Sequence, residues 1–289
     1  MITMMICGGL GNQMFQYACG KALAIRNNTE LFLDLSWYEE AKDRRKFQLD
    51  IWNTDFKICH DNKWLRLKKT TKWQRFKSRM LDNIRVVREK NMQFDKEILD
   101  LRGDVYLTGF FQSEAYFSDI EDRLRKDFTL RDDLSASTEC WADKIRSSTN
   151  PVSLHVRRGD YVSVPANISM FKMIPVQYYE KAVSYLKNIL GEINVFVFTN
   201  DQEWVKNNIS FDVPTFFVEE NDEDNGYMDM YLMSLCHHNI IANSTFSWWG
   251  AWLNVNSEKK VISPSLWFNT DELNNNDIIP KSWIRVEAI

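Results

Sequence analysis

The sequence is poor in the residues that make loops, linkers and cross-links. Its 289 residues include only 10 Gly and 6 Pro, with no internal repeat and no low-complexity stretch. This composition is typical of a folded protein with one large domain or two modest ones. No run of about 18 apolar residues is present, so no membrane-spanning helix is predicted. The apolar start, residues 1–7, lacks a basic flank and runs directly into glycine, which favours a first strand over a signal peptide.

The five cysteines are scattered along the chain and form no Cys-x-x-Cys pair. They therefore predict reduced thiols in a cytoplasmic protein, and neither a disulfide framework nor a zinc site. The net charge of −4 argues against a general nucleic-acid binder. Eleven Trp is a high number. Most are expected in the core, although the face of an indole also stacks on sugar rings.

Residues 61–90 differ from the rest of the chain. Eleven Lys or Arg stand there against three acids, with aromatic and aliphatic residues interleaved. We interpret this segment as a helical excursion with one packed face. The alternative is a surface that contacts anionic lipid or a lipid-linked acceptor, which would bring a cytoplasmic protein to the periphery of the inner membrane.

Strand and helix patterns alternate along most of the chain. In the first part, a strand at 2–7 precedes a glycine-rich loop at 8–13, a helix at 14–26 and a strand at 31–35. After Pro151 the predicted strands are 152–156, 193–199, 214–218, 239–242 and 260–263. The predicted helices between them are 176–190, 201–208, 227–238 and 246–254. This alternation predicts an α/β fold with a parallel, doubly wound sheet, whose ligands bind beyond the carboxyl ends of the strands.

The loop after the first predicted strand carries small residues and amides. Gly9 and Gly11 allow a ligand to approach the backbone, and Asn12 and Gln13 place side-chain amides at the start of a helix. The spacing is neither the dinucleotide-binding fingerprint nor a P-loop. A plain tight turn explains this pattern equally well.

The strand at 152–156 ends in two adjacent arginines. His155 and Arg157 share one face of an extended strand, and Arg158 precedes Gly159. Such a pair is costly to bury without an anion, and guanidinium groups grip a diphosphate through paired hydrogen bonds. Asp160 can hold one arginine in place. The alternative is an ordinary surface ion pair between arginine and aspartate.

Two further strand ends carry polar residues. Asp201 can accept hydrogen bonds from a ribose or a guanine, or it can cap the helix that follows. Asn243, Ser244, Thr245 and Ser247 begin a helix, where hydroxyls and the helix dipole favour an anion. A simple capping box is the alternative. The acid run 219–224 and the pair His237-His238 are interpreted as a solvated loop and a helix end, and not as a metal site.

Four stretches carry a family resemblance. GGLGNQMFQYACGKALA at 8–24, TGFFQSEAYF at 108–117, HVRRGDY at 155–161 and ANSTFSWWGAWL at 242–253 resemble the bacterial α-1,2-fucosyltransferases of glycosyltransferase family 11. The resemblance implies a GT-B fold of two Rossmann-like domains facing across a cleft. Residues 1–148 would form the acceptor-side domain and residues 149–289 the domain that binds GDP-fucose.

The resemblance also implies an activity and roles for single residues. The enzyme would transfer L-fucose from GDP-fucose to the 2-hydroxyl of a terminal galactose, with inversion and with no metal or cofactor. The acceptor would be a β-galactoside glycan, with a lipid-linked glycan as one alternative. Arg157 and Arg158 would bind the diphosphate, with His155 near the guanine and Asn12 important for activity. The remaining implied contacts with the donor are Ser244, Thr245, Ser247, Asp201 and, for guanine recognition, Asp229.

The chain departs from its relatives at two places. Thr199-Asn200-Asp201 stands where relatives often have Ser-Asp-Asp, so only Asp201 carries over. Some relatives outside the family keep a glutamate base shortly after the arginines, whereas residues 161–179 contain no acid here. The base therefore stays open between Asp160 and Glu114. Transfer of another GDP-linked sugar and a non-catalytic glycan-binding module are the alternatives to fucosyl transfer.

Overall fold

The structure is a computed structural model that describes residues 1–40, 45–60, 71–73, 76, 80, 83–159, 165–219, 225–270, 273 and 275–287. The chain divides into two compact units, Met1–Asp132 and Asp133–Ile289. Each unit contains its own parallel sheet. Residues 133–148, which the predicted domain boundary placed in the N-terminal domain, belong to the second unit, where Ala142 and Ile145 of the helix Ala136–Arg146 pack into its core.

The N-terminal unit is built on a five-stranded sheet with the order β3-β2-β1-β5-β4 and parallel pairing throughout. Its strands are β1 (Ile2–Met5), β2 (Leu31–Asp34), β3 (Lys57–Ile58), β4 (Ile84–Arg88) and β5 (Asp104–Thr108). Its α-helices are α1 (Leu10–Arg26), α2 (Ser36–Glu40) and α3 (Glu121–Asp127). Short 3-10 turns occupy Leu49–Ile51, Lys96–Asp100, Glu114–Tyr116 and Ser118–Ile120.

Helix α1 begins earlier than the sequence pattern indicated. The predicted loop 8–13 is wrong over 10–13, because Gly9 is the N-cap and Leu10 is already helical. Gly8 and Gly9 therefore form the turn between β1 and α1, whereas Gly11 is already helical. The helix is buried along almost its whole length, and Gly20 lets it approach the sheet, since a Cβ there would lie 2.8 Å from Leu31 Cδ1.

The predicted helical excursion 61–90 needs a correction at its end. Ile84–Arg88 forms strand β4, which pairs along its whole length with β5. Arg85 and Arg88 interrupt the β-branched residues there, and the strand lies at the edge of the sheet, where Arg85 is exposed and Arg88 is half-buried. Residues 61–70, 74–75, 77–79 and 81–82 lie outside the described residues, so the proposed membrane contact of this segment stays a prediction.

The C-terminal unit is built on a six-stranded parallel sheet with the order β11-β10-β9-β6-β7-β8. Its strands are β6 (Pro151–Val156), β7 (Asn194–Thr199), β8 (Thr215–Phe217), β9 (His238–Ile240), β10 (Val261–Pro264) and β11 (Ile284–Val286). Its α-helices are α4 (Ala136–Arg146), α5 (Pro165–Met170), α6 (Val176–Leu190), α7 (Gln202–Asn208), α8 (Gly226–Leu235) and α9 (Thr245–Leu253).

The core of this unit explains its regular sequence pattern. All six residues of β6 are buried, as expected for a central parallel strand covered on both faces. Trp248 and Trp249 on α9 are fully buried, and the ring of Trp248 stacks on that of Trp252 at 6.3 Å. Gly250 lets α9 approach α8, because a Cβ there would lie 2.9 Å from Met233 Cβ. The described part of the chain contains no helix long and apolar enough to cross a bilayer.

Candidate functional site

The sheet of the C-terminal unit reverses its strand order beside β6. From β6 the chain proceeds to β7 and β8 on one side, and β9, β10 and β11 then follow on the other side. Ligands of open parallel sheets bind in the crevice at such a switch point, beyond the carboxyl ends of the strands. The residues after β6 and β9, namely 157–159 and 241–244, flank this crevice. Apart from Ile241, these residues belong to the HVRRGDY and ANSTFSWWGAWL stretches.

His155 lies just before the end of β6 and is buried with a free ring nitrogen. Its Nδ1 has no hydrogen-bond partner among the described residues, and its ring centroid lies 5.8 Å from that of Phe246 on α9. Burial lowers the pKa of His155 from 6.5 to about 3, and the charge of Arg157 adds to this shift. The imidazole is therefore neutral near pH 7 and can take part in hydrogen bonds without bringing a charge into the site.

Arg158 is held from two directions by the start of α7. Its Nε donates to Asp201 Oδ2 at 3.3 Å, and its guanidinium carbon lies 3.6 Å from the ring centroid of Trp204. Asp201 also accepts from the backbone N–H of Trp204 at 3.3 Å, so it is the N-cap of α7. Trp204, which the sequence analysis did not single out, stacks on the guanidinium and restricts its position.

The turn after the arginines requires glycine. A Cβ on Gly159 would lie 2.1 Å from Asn200 Nδ2, and Asn200 Oδ1 accepts from the backbone N–H of Arg158 at 3.1 Å. Asn200 thereby holds the turn that carries both arginines. Arg157 is half-buried at the end of β6. Asp160, a predicted catalytic residue, lies outside the described residues.

The polar residues at the start of α9 are of two kinds: some make hydrogen bonds within the local fold, and others do not cap the helix with their side chains. Asn243 Nδ2 donates to the carbonyls of Lys172 and Trp267 at 2.7 and 2.9 Å. The Ser247 hydroxyl lies within 3.3 Å of the Ser244 carbonyl. These two side chains therefore hold the local fold together. Ser244 is the N-cap but makes no side-chain capping bond, and Thr245 is half-buried at the first helical position. The predicted guanine contact Asp229 is half-buried in the first turn of α8.

The N-terminal unit has a switch point of its own. There the chain proceeds from the central β1 to β2 and β3, and β4 and β5 lie on the other side. The turn after β1 contains Gly8, whose φ of +77° favours glycine. Its carbonyl accepts from Gln13 Nε2 at 3.1 Å and from the Tyr38 hydroxyl at 2.9 Å.

The other predicted residues of this turn have structural contacts. Gln13 is fully buried, donates to the Lys46 carbonyl at 2.8 Å, and accepts from the Gln48 backbone N–H at 2.9 Å. Both ends of its amide are thus engaged within the protein. Gly9 is the extended N-cap of α1, and Gly11 is buried in its first turn.

Asn12 is linked to the loop that follows β5. Its Oδ1 accepts from Gln112 Nε2 at 2.8 Å. The same loop is held by Gln16, whose Nε2 donates to the Gly109 carbonyl at 2.9 Å, and by Glu89, whose carboxylate accepts from the backbone N–H groups of residues 110 and 111. Burial raises the pKa of Glu89, while these two backbone amides oppose the shift.

Glu89 and Gln112 were missed as functional candidates in the sequence. Gln112 lies in the stretch TGFFQSEAYF, which resembles the family, whereas Glu89 is one of three acids in a basic segment. Glu114, the other candidate base, begins the 3-10 turn Glu114–Tyr116, which Ser113 caps, and it is half-buried. No group of three or more His, Cys, Asp or Glu within the described residues is arranged to hold a metal ion. The acid run continues into 220–224, outside those residues.

Two parallel sheets of this kind, each with a central switch point, define the GT-B class. The chain is similar to a mutant of Arabidopsis thaliana FUT1 in complex with GDP, with a TM-score of 0.57 and 12% identity over 98% of this chain and 75% of that one. It is also similar to NodZ alpha-1,6-fucosyltransferase soaked with GDP-fucose, with a TM-score of 0.50 and 15% identity over 87% and 91% of the two chains. These similarities confirm the predicted fold class.

The chain belongs to glycosyltransferase family 11, because the sequence model of that family matches residues 1–287. It is 37% identical to the alpha-1,2-colitosyltransferase of Escherichia coli over 98% of this chain and 97% of that protein. It is 32% identical to the O-antigen biosynthesis glycosyltransferase WbnK of Escherichia coli over 97% and 99% of the two chains. Galactoside alpha-(1,2)-fucosyltransferase 2 of Rattus norvegicus is 26% identical over 88% of this chain and 67% of that protein. The family predicted from the sequence is confirmed.

Proposed function

We propose that this glycosyltransferase transfers L-fucose from GDP-fucose to the 2-hydroxyl of a terminal galactose, with inversion and without a metal ion. The observation that carries the proposal is the crevice of the C-terminal unit, where two arginines end β6 and the start of α9 follows β9. Guanidinium groups and a helix N-terminus are both suited to a diphosphate. The names of the relatives and the GDP complexes of the similar structures support this choice.

The donor is assigned to the C-terminal unit. Arg157 and Arg158 bind the diphosphate, together with the Ser244 and Thr245 hydroxyls and the first N–H groups of α9. Neutral His155 contacts the guanine, since its unpartnered ring nitrogen can form a hydrogen bond without electrostatic repulsion from an added charge. Asp201 contributes by holding Arg158. Asp229 is a further candidate for guanine recognition.

The chemistry is a direct displacement at the anomeric carbon. The acceptor hydroxyl attacks while the bond to GDP lengthens, and negative charge accumulates on the leaving diphosphate. Preorganised donors stabilise this charge, and removal of one such donor typically costs about 3 kcal/mol of barrier. The acceptor is assigned to the N-terminal unit, with Asn12 as its polar contact. Glu114 and Asp160 are the candidates for the group that takes the hydroxyl proton.

A second donor deserves a test because a relative at 37% identity is named a colitosyltransferase. Colitose is 3-deoxyfucose, so the two sugars differ by one hydroxyl group. A site that hydrogen-bonds this hydroxyl discriminates strongly against the deoxy sugar, whereas an apolar site discriminates weakly. The choice between fucosyl and colitosyl transfer therefore depends on the polarity around the 3-position.

The experiment is a transfer assay with purified protein in EDTA. GDP-fucose, GDP-colitose and GDP-mannose are each offered with β-galactoside acceptors, and the product linkage is determined by NMR. We expect α-1,2-linked fucose on galactose and full activity in EDTA. Preferred transfer from GDP-colitose would move the assignment to the second donor, and restoration by Mn²⁺ of activity lost in EDTA would refute the metal-independent mechanism. Tight glycan binding without turnover of any donor would favour a non-catalytic binding module.

A further inference from the structure

Asn12 and Gln112 form a contact between the two loops that flank the N-terminal switch point. The residues are 100 positions apart, and Gln112 Nε2 donates to Asn12 Oδ1 at 2.8 Å. Gln112 is 6% exposed, so this hydrogen bond is shielded from water on the Gln112 side. Asn12 itself is half-buried at the start of α1. The Oδ1 atom of Asn12 is thus engaged within the protein, and this hydrogen bond determines where the Nδ2 atom lies.

The direction of this hydrogen bond follows from the buried groups. Gln112 Oε1 is buried and has no hydrogen-bond partner among the described residues. The reverse orientation would make Oε1 the acceptor and would leave the two N–H groups of Nε2 buried instead, which is the costlier arrangement. The Asn12 amide therefore exposes its Nδ2, which lies 2.8 Å from the place that a Cβ on Gly8 would occupy. The absence of a side chain at Gly8 leaves room for this group.

The loop that carries Gln112 is itself restrained. Glu89 Oε1 accepts from the Phe111 backbone N–H at 2.9 Å, and Oε2 accepts from the Phe110 backbone N–H at 2.6 Å. Phe111 has a φ of +51°, an unfavourable conformation for a bulky residue that needs such support. Gly109 allows the close approach, because a Cβ there would lie 2.3 Å from Glu89 Cβ.

We propose that Gln112 is a positioning residue that fixes the Asn12 amide as a hydrogen-bond donor toward a neutral sugar hydroxyl, with Glu89 holding the loop that carries Gln112. The proposal rests on the proposed function, since it assigns the acceptor glycan to this crevice. Gln112 and Glu89 act through Asn12 and do not themselves touch the substrate. The exposed end of the amide offers only N–H groups, so its partner must be an acceptor atom, and the oxygen of a sugar hydroxyl meets this requirement.

The first test does not depend on catalysis. Side-chain amide NMR signals are recorded for wild type and for Gln112→Glu, with the exposed Gln93→Glu as a matched control of equal charge. A carboxylate at 112 can only accept, so the Asn12 amide should turn and donate to it, and its N–H signals should move downfield. Unmoved Asn12 signals in Gln112→Glu would overturn the proposal, whatever sugar the enzyme transfers.

The second test measures transfer in a double-mutant cycle. Gln112→Glu should lower kcat/KM about 10-fold in the wild-type background and have no further effect in the Asn12→Ala background. Equal losses in both backgrounds would show that Gln112 acts independently of Asn12 and would overturn the proposal. A wild-type enzyme without any transfer activity would instead refute the proposed function, while the NMR result would still stand.

Two further variants test the same role in case Gln112→Glu does not fold. Gln112→Met removes the donor and the unpartnered Oε1 together, so the melting temperature should stay near the wild-type value while kcat/KM falls. Glu89→Gln should produce a smaller loss that also vanishes in the Asn12→Ala background, because only one carboxamide oxygen remains for two backbone N–H groups. Full activity in both variants would overturn the positioning role.

Discussion

The two switch points of this chain carry opposite kinds of polar group. In the C-terminal unit, two arginines and the hydroxyls at the start of α9 flank the crevice, with neutral His155 and the carboxylate of Asp201 beside the arginines. In the N-terminal unit, side-chain amides surround the turn after β1, both carboxylate oxygens of Glu89 are engaged by the backbone, and the Arg45 guanidinium lies beside Gly9. The same topology thus presents one crevice rich in arginine and hydroxyl groups and one rich in side-chain amides.

The largest effect is expected when the planar guanidinium of the C-terminal crevice is replaced. Arg157→Lys keeps the charge but loses the fork that grips two phosphate oxygens, so kcat/KM for the donor should fall about 100-fold. GDP affinity, measured by calorimetry, should fall with it, and the melting temperature should not change. Arg158→Lys should be milder, because Trp204 and Asp201 already restrict that position. Near-normal activity of Arg157→Lys would mean that the diphosphate binds elsewhere.

Acid should destabilise the protein through the buried histidines of the C-terminal unit. His155 has a folded pKa of about 3 against 6.5 when unfolded, so the unfolded chain binds the extra proton between these values and stability falls as the pH drops. At pH 5 this amounts to about 2 kcal/mol for His155 alone. His238, whose pKa burial lowers to about 4, adds a loss of the same sign. The free energy of unfolding is measured by denaturant titration at pH 5 and pH 7. It should depend less on pH in His155→Gln than in wild type.

Glu89 in the N-terminal unit contributes with the opposite sign. Burial raises its pKa, so the folded state holds its proton to higher pH than the unfolded state, and stability falls as the pH rises above 4.5. Equal pH dependence of wild type and His155→Gln would contradict the assignment of a buried neutral imidazole and remove this contrast between the units.

A substitution in the N-terminal crevice should change turnover and not GDP binding. Asn12→Asp keeps the shape of the side chain and leaves an oxygen for Gln112, but it replaces the exposed N–H groups by an acceptor. We expect about a 10-fold loss in kcat/KM, in the range of one lost hydrogen bond to an uncharged group. GDP affinity by calorimetry should be unchanged. A parallel loss of GDP affinity would show that the two crevices are not separate in function.

The smallest effect is expected at the support of Arg158. Trp204→Leu removes the ring beneath the guanidinium, and a contact of this kind is worth about 1 kcal/mol in a partly exposed position. The KM for the donor should therefore rise only a few-fold, with kcat nearly unchanged. Trp204→Phe, which keeps an aromatic face, is the matched control. If both variants raise KM equally, the stacking contact has no role in donor binding.

The sequence predicted the C-terminal unit far better than the N-terminal one. Strand β7 contains the continuous apolar run at 195–198, and helix α6 begins after a proline, so local patterns indicated these elements within a residue or two. The strand β3 has only two residues, and β4, at the edge of the sheet, carries two arginines. Their pairing, and not their composition, makes them strands.

The candidate site divides in the same way. The pair Arg157 and Arg158 and the hydroxyls at 244–247 were recognisable because each follows a predicted strand directly. The roles of Glu89 and Gln112 depend on partners far away in the chain: Gln112 reaches back 100 positions to Asn12. No local pattern could indicate these contacts, although Gln112 lies in a stretch that resembles the family.

The division of the chain at Asp132 has a consequence for protein engineering. Neither sheet contains a strand from the other side of this boundary, and residues 131–133 are exposed. A chimera joined between 132 and 133 would therefore inherit each crevice whole, with the amide network from one parent and the arginine turn from the other. Exchanging halves with a relative of different substrate preference would separate the inheritance of donor choice from that of acceptor choice.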